Sequence, residues 1–160
     1  MKGSEMAVRL MELVFFAFLC FAAWKDWKTR QVLPGMLALM GVTGILARGI
    51  LCWLLWKEQG AWLRGLTDWG GGLLAGGMLL ALSRVTGGGL GAGDGWFFVV
   101  SAAWIGIEKQ LCLLIGGMML CFLFCGAAVI WGVLKGVSVK GMRIPFLPFL
   151  VPAAVFLLIS

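Results

Sequence analysis

The chain has 160 residues, 62% of them hydrophobic and only 12% charged, against roughly half apolar and a quarter charged in a soluble globular domain. With a mean hydropathy of +1.03, that excess cannot be hidden in one soluble core of this size, so the bilayer is the expected solvent. The net charge of +6 does not point to nucleic acid, because the bases stand singly between apolar runs instead of forming a basic face.

Spanning helices need roughly 20 residues each, so the length allows about six and leaves no room for a separate soluble domain. The expected architecture is an all-α, polytopic membrane protein, one membrane-embedded domain over residues 1–160. The first span is read at 6–24. It is taken as retained rather than as a signal peptide, because Glu5 and Glu12 interrupt the basic start and no small-x-small cleavage site follows Cys20. The second runs over 32–47. Arg48 then interrupts, and the apolar stretch 49–56 either continues the helix or lies at the interface. The third is read at 69–82, the fourth at 95–107, the fifth at 111–134 and the sixth at 144–160, with Pro145, Pro148 and Pro152 in its first half.

Backbone polar groups in lipid must be satisfied internally, so irregular backbone persists only where protein or a water cavity surrounds it. Residues 87–95, rich in glycine, and 145–152, rich in proline, are the two segments that demand it, and both are candidate cavity walls. Gly72 and Gly76 form the small-xxx-small pattern that lets helices approach closely. Loop charge sets the orientation. Lys25, Lys28, Arg30, Arg84, Lys135, Lys140 and Arg143 fall on one side, and Lys2, Arg9, Arg48, Lys57, Arg64 and Lys109 on the other. The positive-inside rule then puts the first group in the cytoplasm and both termini outside.

The chain contains no His, which removes Ser-His triads, His metal ligands and any His general base. Cys20, Cys52, Cys112, Cys121 and Cys125 form no C-x-x-C pair, so no metal site or cofactor is expected and the cysteines are read as packing residues. Of the seven acids, only Asp26 and Asp94 map to the inner side, at the end of the first span and the start of the fourth. An ionisable residue at the edge of a span marks a candidate functional site. Two carboxylates that meet share a proton, and one activates water while the other donates to a scissile carbonyl. Simpler roles exist for each. Asp26 lies one turn from Arg30 and could pair with it, and Asp94 could cap the following helix.

Three segments add weight to the catalytic reading. Asp26-x-x-x-Arg30-x-x-Leu33-Pro34, Gly91-Ala92-Gly93-Asp94 and Arg143-Ile144-Pro145-Phe146-Leu147-Pro148-Phe149 occur in that order. Together they resemble the two aspartate motifs and the late proline motif of the type IV prepilin peptidases, GxGD intramembrane aspartyl proteases. The resemblance extends from the first span to the last. It implies Asp26 and Asp94 as the catalytic pair, with Gly91, Gly93, Pro34, Pro145 and Pro148 shaping the backbone around the substrate. It also implies cleavage of prepilin-like precursors, each a basic leader ahead of an apolar helix, at the cytoplasmic face of the inner membrane. Trp96 replaces the family's usual Lys, and Leu147 its usual Gly. The family's cysteine-rich cytoplasmic region and the associated N-methylating activity have no counterpart in the sequence. Two other readings stand beside this one. The first is an inactive relative serving pilus or secretion assembly. The second is a small transporter with Asp26 and Asp94 as a proton or cation relay, although no internal repeat supports it.

Overall fold

The computed structural model describes residues 2–29, 34–54, 61–86, 91–136 and 145–159. These form α1 (Lys2–Thr29), α2 (Pro34–Leu54), α3 (Ala61–Val85), α4 (Ala92–Lys135) and α5 (Leu147–Ile159), with no strand among them. α1, α2 and α4 are each long and apolar enough to cross a membrane, and α5 is a shorter apolar helix. The chain is a polytopic, all-helical membrane protein. Its outward faces carry large apolar side chains such as Trp53, Leu74, Met78 and Phe122, all more than 70% exposed, as lipid-facing surfaces should.

The 44 residues of α4 are two helices joined at a sharp reversal. Gly106 takes φ 69° and ψ 173° inside it, a conformation that glycine reaches without steric penalty. The Gln110 Nε2 amide donates to the Phe98 carbonyl at 2.7 Å and to the Gly72 carbonyl at 3.2 Å. On a straight helix Phe98 and Gln110 would lie about 18 Å apart along the axis. The two arms, 92–105 and 107–135, therefore run antiparallel and supply the fourth and fifth of six helical segments among the described residues. The sequence reading put this break at 108–110; it falls instead on the preceding glycine.

Other boundaries also shift. α2 runs through Arg48 without interruption, α3 begins eight positions before the expected start, and α4 begins at Ala92, so Gly93 and Gly95 are helical. Pro148 and Pro152 both lie inside α5, which confines irregular backbone there to Pro145 and Phe146. Proline fits the first turn of a helix because an N–H there has no intrahelical acceptor. The segments 87–90 and 141–144 lie outside the described residues.

Between helices in lipid there is little hydrophobic drive, and close packing holds them together. α3 and the first arm of α4 meet backbone to backbone. A Cβ added at Gly76 would sit 2.5 Å from the Val99 amide nitrogen, and one at Gly72 would sit 3.2 Å from the Ala102 Cα. The Gly72–Gly76 pair therefore serves helix packing, as its spacing suggested. Trp104 locks α2 to α4, its indole N–H donating to the Met40 carbonyl at 3.0 Å. Met11, Phe15, Leu19 and Ala22 form the buried stripe of α1, and Phe15 meets Phe97 of α4 at a centroid distance of 6.1 Å. The same stripe continues to Asp26.

The two ends of the bundle differ. At the end holding Gly106, Lys109 pairs with Glu12. The Arg48 guanidinium and Asp68 both lie within 4 Å of a Cβ placed at Gly106. The last turns of α1 carry Lys25 and Lys28 over the Trp24 ring, at 5.7 and 5.5 Å, the aromatic-and-cation pairing typical of a membrane interface. α1, α2, α3, the two arms of α4 and α5 thus alternate between the ends, and Asp26 and Asp94 fall at the end opposite Gly106.

Candidate active site

Asp26 is only 6% exposed, because it sits on the face of α1 that Met11, Phe15, Leu19 and Ala22 bury. Its Oδ2 accepts the backbone N–H of Leu147 at 3.3 Å. The bond follows from the start of α5. The first amides of a helix have no intrahelical acceptor, and Pro148, next in line, has no N–H to donate. The Leu147 amide is thus free to bind the carboxylate.

Asp94 belongs to the first turn of α4. Gly91 is the helix N-cap, at φ −59° and ψ 122°, and no side chain caps it. The Gly91 carbonyl accepts the amides of Asp94 and Gly95 at 3.0 and 3.4 Å. Asp94 therefore does not serve as the cap. A Cβ at Gly91 would lie 2.8 Å from Asp94 Oδ2, and one at Gly95 would lie 2.7 Å from Leu80 Cδ2. The first glycine of the GxGD segment thus leaves space for the carboxylate, while Gly95 lets α3 approach. Gly93 is half-buried in the same turn.

The two carboxylates come from different helices, 68 positions apart in the sequence, and lie within electrostatic range of each other. The segment before α5 links them. Leu147 holds Asp26, and Phe146, in tilted contact with Phe98 at 6.4 Å, lines a groove that also contains Asp94. This groove, about 340 Å³, lies between α3 and the two arms of α4, and Asp94 is the one charged residue among the described residues that line it. Among the described residues, no three His, Cys, Asp or Glu side chains converge as metal ligands do. Two carboxylates in mutual range, one of them open to a groove, are the equipment for general acid–base chemistry on a bound amide.

Residues 13–127 match the type IV leader peptidase family. The chain belongs to that family. It is a membrane-embedded peptidase, and the matched stretch contains both aspartates and every element up to the second arm of α4. No curated protein and no solved structure matches the chain significantly. α5 lies beyond the matched stretch, yet it supplies the amide that holds Asp26.

The remaining residues named from the leader peptidase motifs divide. Gly91 makes a close approach that a side chain would disturb, as does Gly95 next to the motif, and Gly93 is half-buried. Pro145 and Pro148 are half-buried at the start of α5, beside the Leu147 amide. Pro34 is the exposed first residue of α2 and does not line the groove. Arg30, Leu33, Arg143 and Ile144 fall outside the described residues, so the pairing of Asp26 with Arg30 does too. The two departures from the family pattern also find their places. Trp96 is half exposed, two residues past Asp94 and outside the groove lining. Leu147 is fully buried in the core, and what it offers Asp26 is a backbone N–H that Gly would offer equally. Sequence reasoning missed the Leu147 amide, the Gln110 bridge and the placement of Cys121 and Cys125, whose sulfurs lie 3.9 Å apart on the groove wall. A lone Gln in an apolar run was a usable signal; a backbone amide gives none.

Proposed function

We propose that this chain is an intramembrane aspartyl endopeptidase with Asp26 and Asp94 as its catalytic pair. Its substrates are prepilin-like precursors, cut between a basic leader and an apolar helix at the cytoplasmic face of the inner membrane. The observation that supports the reading most is the convergence of α1 and α4 on these two carboxylates at one end of the bundle, with one of them opening on an apolar groove. A water held between them loses a proton to one carboxylate and attacks the scissile carbonyl carbon, while the other carboxylate gives its proton to the carbonyl oxygen. Collapse of the tetrahedral intermediate breaks the C–N bond: one of its hydroxyls returns its proton to the ionised carboxylate, and the departing amine takes the proton held by the other. Each turnover consumes one water and restores the single shared proton. The cations near Asp26, including Lys25 and Lys28, support a cytoplasmic placement of this end.

The test is incubation of the purified protein, reconstituted in liposomes, with a synthetic precursor: a short basic leader, a Gly, and an apolar helix of about 20 residues. Cleavage after the Gly, read by mass spectrometry, is the expected result. An intact precursor would favour the assembly reading, in which the fold persists without the activity.

A further inference from the structure

The wall of the groove beside Asp94 carries a donor set that the peptidase chemistry leaves unused. Among the described lining residues, the side-chain donor atoms other than those of Asp94 are all sulfur: Met118, Cys121 and Cys125, on the second arm of α4. Cys121 and Cys125 are four positions apart, so they stand one above the other on a single helix face, about 6 Å apart along the axis. Both are free thiols and both are half-buried. Their sulfurs face each other at 3.9 Å. Asp94 lies within electrostatic range of Cys121, which favours a cation over an anion at this wall. The rest of the described lining is glycine or apolar, with Leu79, Leu82, Phe98 and Leu114 among it.

We infer that Cys121 and Cys125 form a dithiolate site for a soft cation of low coordination number, Cu(I), in the wall of this groove. Sulfur ligands select Cu(I), whereas Mg²⁺ and Ca²⁺ take oxygen. Structural zinc takes four ligands, and no third His, Cys, Asp or Glu joins the pair among the described residues. Cu(I) is satisfied by two thiolates. With metal–sulfur bonds of about 2.3 Å, as for zinc thiolates, two sulfurs on one ion stand no more than about 4.6 Å apart. The observed 3.9 Å lies inside that limit, so the ion enters by small side-chain rotations and the helix backbone keeps its course. On binding, two S–H bonds break, two Cu–S bonds form and two protons leave, while copper stays Cu(I). The helix holds both sulfurs together before the ion arrives, which lowers the ordering cost of binding. The apolar lining brings no competing hard ligand other than Asp94. The sequence reading took the two cysteines for packing residues; their separation and their place on a groove wall give them this second capacity.

The test is a competition titration that needs no cleavage assay, so it stands apart from the peptidase reading. The purified chain, with Cys20, Cys52 and Cys112 changed to Ser, is mixed without oxygen with the coloured Cu(I) complex of bicinchoninate. Loss of colour reports copper passing to the protein. Withdrawal of one Cu(I) per chain is expected, with sulfur as the only nearest neighbour in the X-ray absorption spectrum. Cys121→Ser and Cys125→Ser should each weaken binding by at least about a hundredfold, since even partners outside the ligand set are worth 10–100-fold. Zn(II) offered at the same concentration should not displace the copper. The unmodified chain provides a second comparison that does not depend on the three serine changes: its Cys121→Ser/Cys125→Ser double variant should take up one Cu(I) fewer. No withdrawal of copper, equal withdrawal by the Cys121→Ser variant, displacement by Zn(II), or oxygen neighbours in the absorption spectrum would overturn the inference.

Discussion

Replacement of Gly91 by Ala should damage catalysis without damaging the fold. The backbone at Gly91, φ −59° and ψ 122°, is one that any L-residue adopts, so no strain enters there. The new Cβ would meet Asp94 Oδ2 at 2.8 Å, inside normal contact distance, and the carboxylate would have to turn away. Overpacking of this kind typically costs about 1–3 kcal/mol. If that energy is lost from the transition state, kcat/KM falls about 5- to 150-fold, at 1.36 kcal/mol per factor of ten. The assay is precursor cleavage at several substrate concentrations, with the thermal midpoint of the same preparation measured alongside. Gly91→Val should be worse again, because its side chain is branched. Gly106→Ala is the counterpart: there φ is 69° and ψ 173°, a region nearly confined to glycine, so the penalty of about 1–3 kcal/mol falls on folding. Wild-type kcat/KM in Gly91→Ala, or a loss explained wholly by a lower thermal midpoint, would refute the steric argument.

Three further outcomes are expected. Gln110→Leu removes the two hydrogen bonds that tie the arms of α4 to each other and to α3, and should lower resistance to SDS unfolding by about 0.6–1.7 kcal/mol; an unchanged unfolding curve would remove Gln110 from the account of the hairpin. Gly76→Leu places a side chain where the Val99 backbone lies, so the variant should insert into membranes but fail to fold, seen as protease sensitivity of the helical core; a protease-resistant product would count against the close α3–α4 contact. Glu12→Gln breaks the pair with Lys109 at the end away from the aspartates, so precursor cleavage should stay within about twofold of wild type while stability falls by about 1 kcal/mol or less.

Much of this architecture was legible because lipid constrains sequence so strongly. Apolar runs of the right length can only be helices there, and the placement of Asp26 at the end of one run and Asp94 at the start of another put both at one end of the bundle. Gly72 and Gly76 announced the tight α3–α4 contact by spacing alone. The reversal at Gly106 was not readable to the residue, because with 25 glycines in the chain none advertises a positive φ. Arg48 read as an interruption because its charge was weighed by position. In the structure it stays within α2, which runs on to Leu54, and its head group lies near Asp68 and the hairpin turn. The Leu147–Asp26 bond was hidden for a different reason: it uses a backbone amide exposed by the start of a helix, and the prolines that create it looked like a cavity wall. Cys121 and Cys125 were read as packing residues, and their position on the groove wall depends on the hairpin that brings the second arm of α4 back beside Asp94.

The central claim is that Asp26 and Asp94 act as one catalytic unit, and the most direct measurement is the turnover of a cleavable precursor by Asp26→Asn, Asp94→Asn and the double variant. An amide fills the volume of a carboxyl group but cannot relay the proton. Each single change should therefore reduce kcat by about 10³-fold or more, and the double variant should be no worse than either, since residues that act together are lost together. Asp68→Asn and Glu108→Gln, both exposed and close in sequence or space to the Gly106 turn, should turn over normally. Near-wild-type turnover in either dyad variant, or equal damage from Asp68→Asn, would contradict the account.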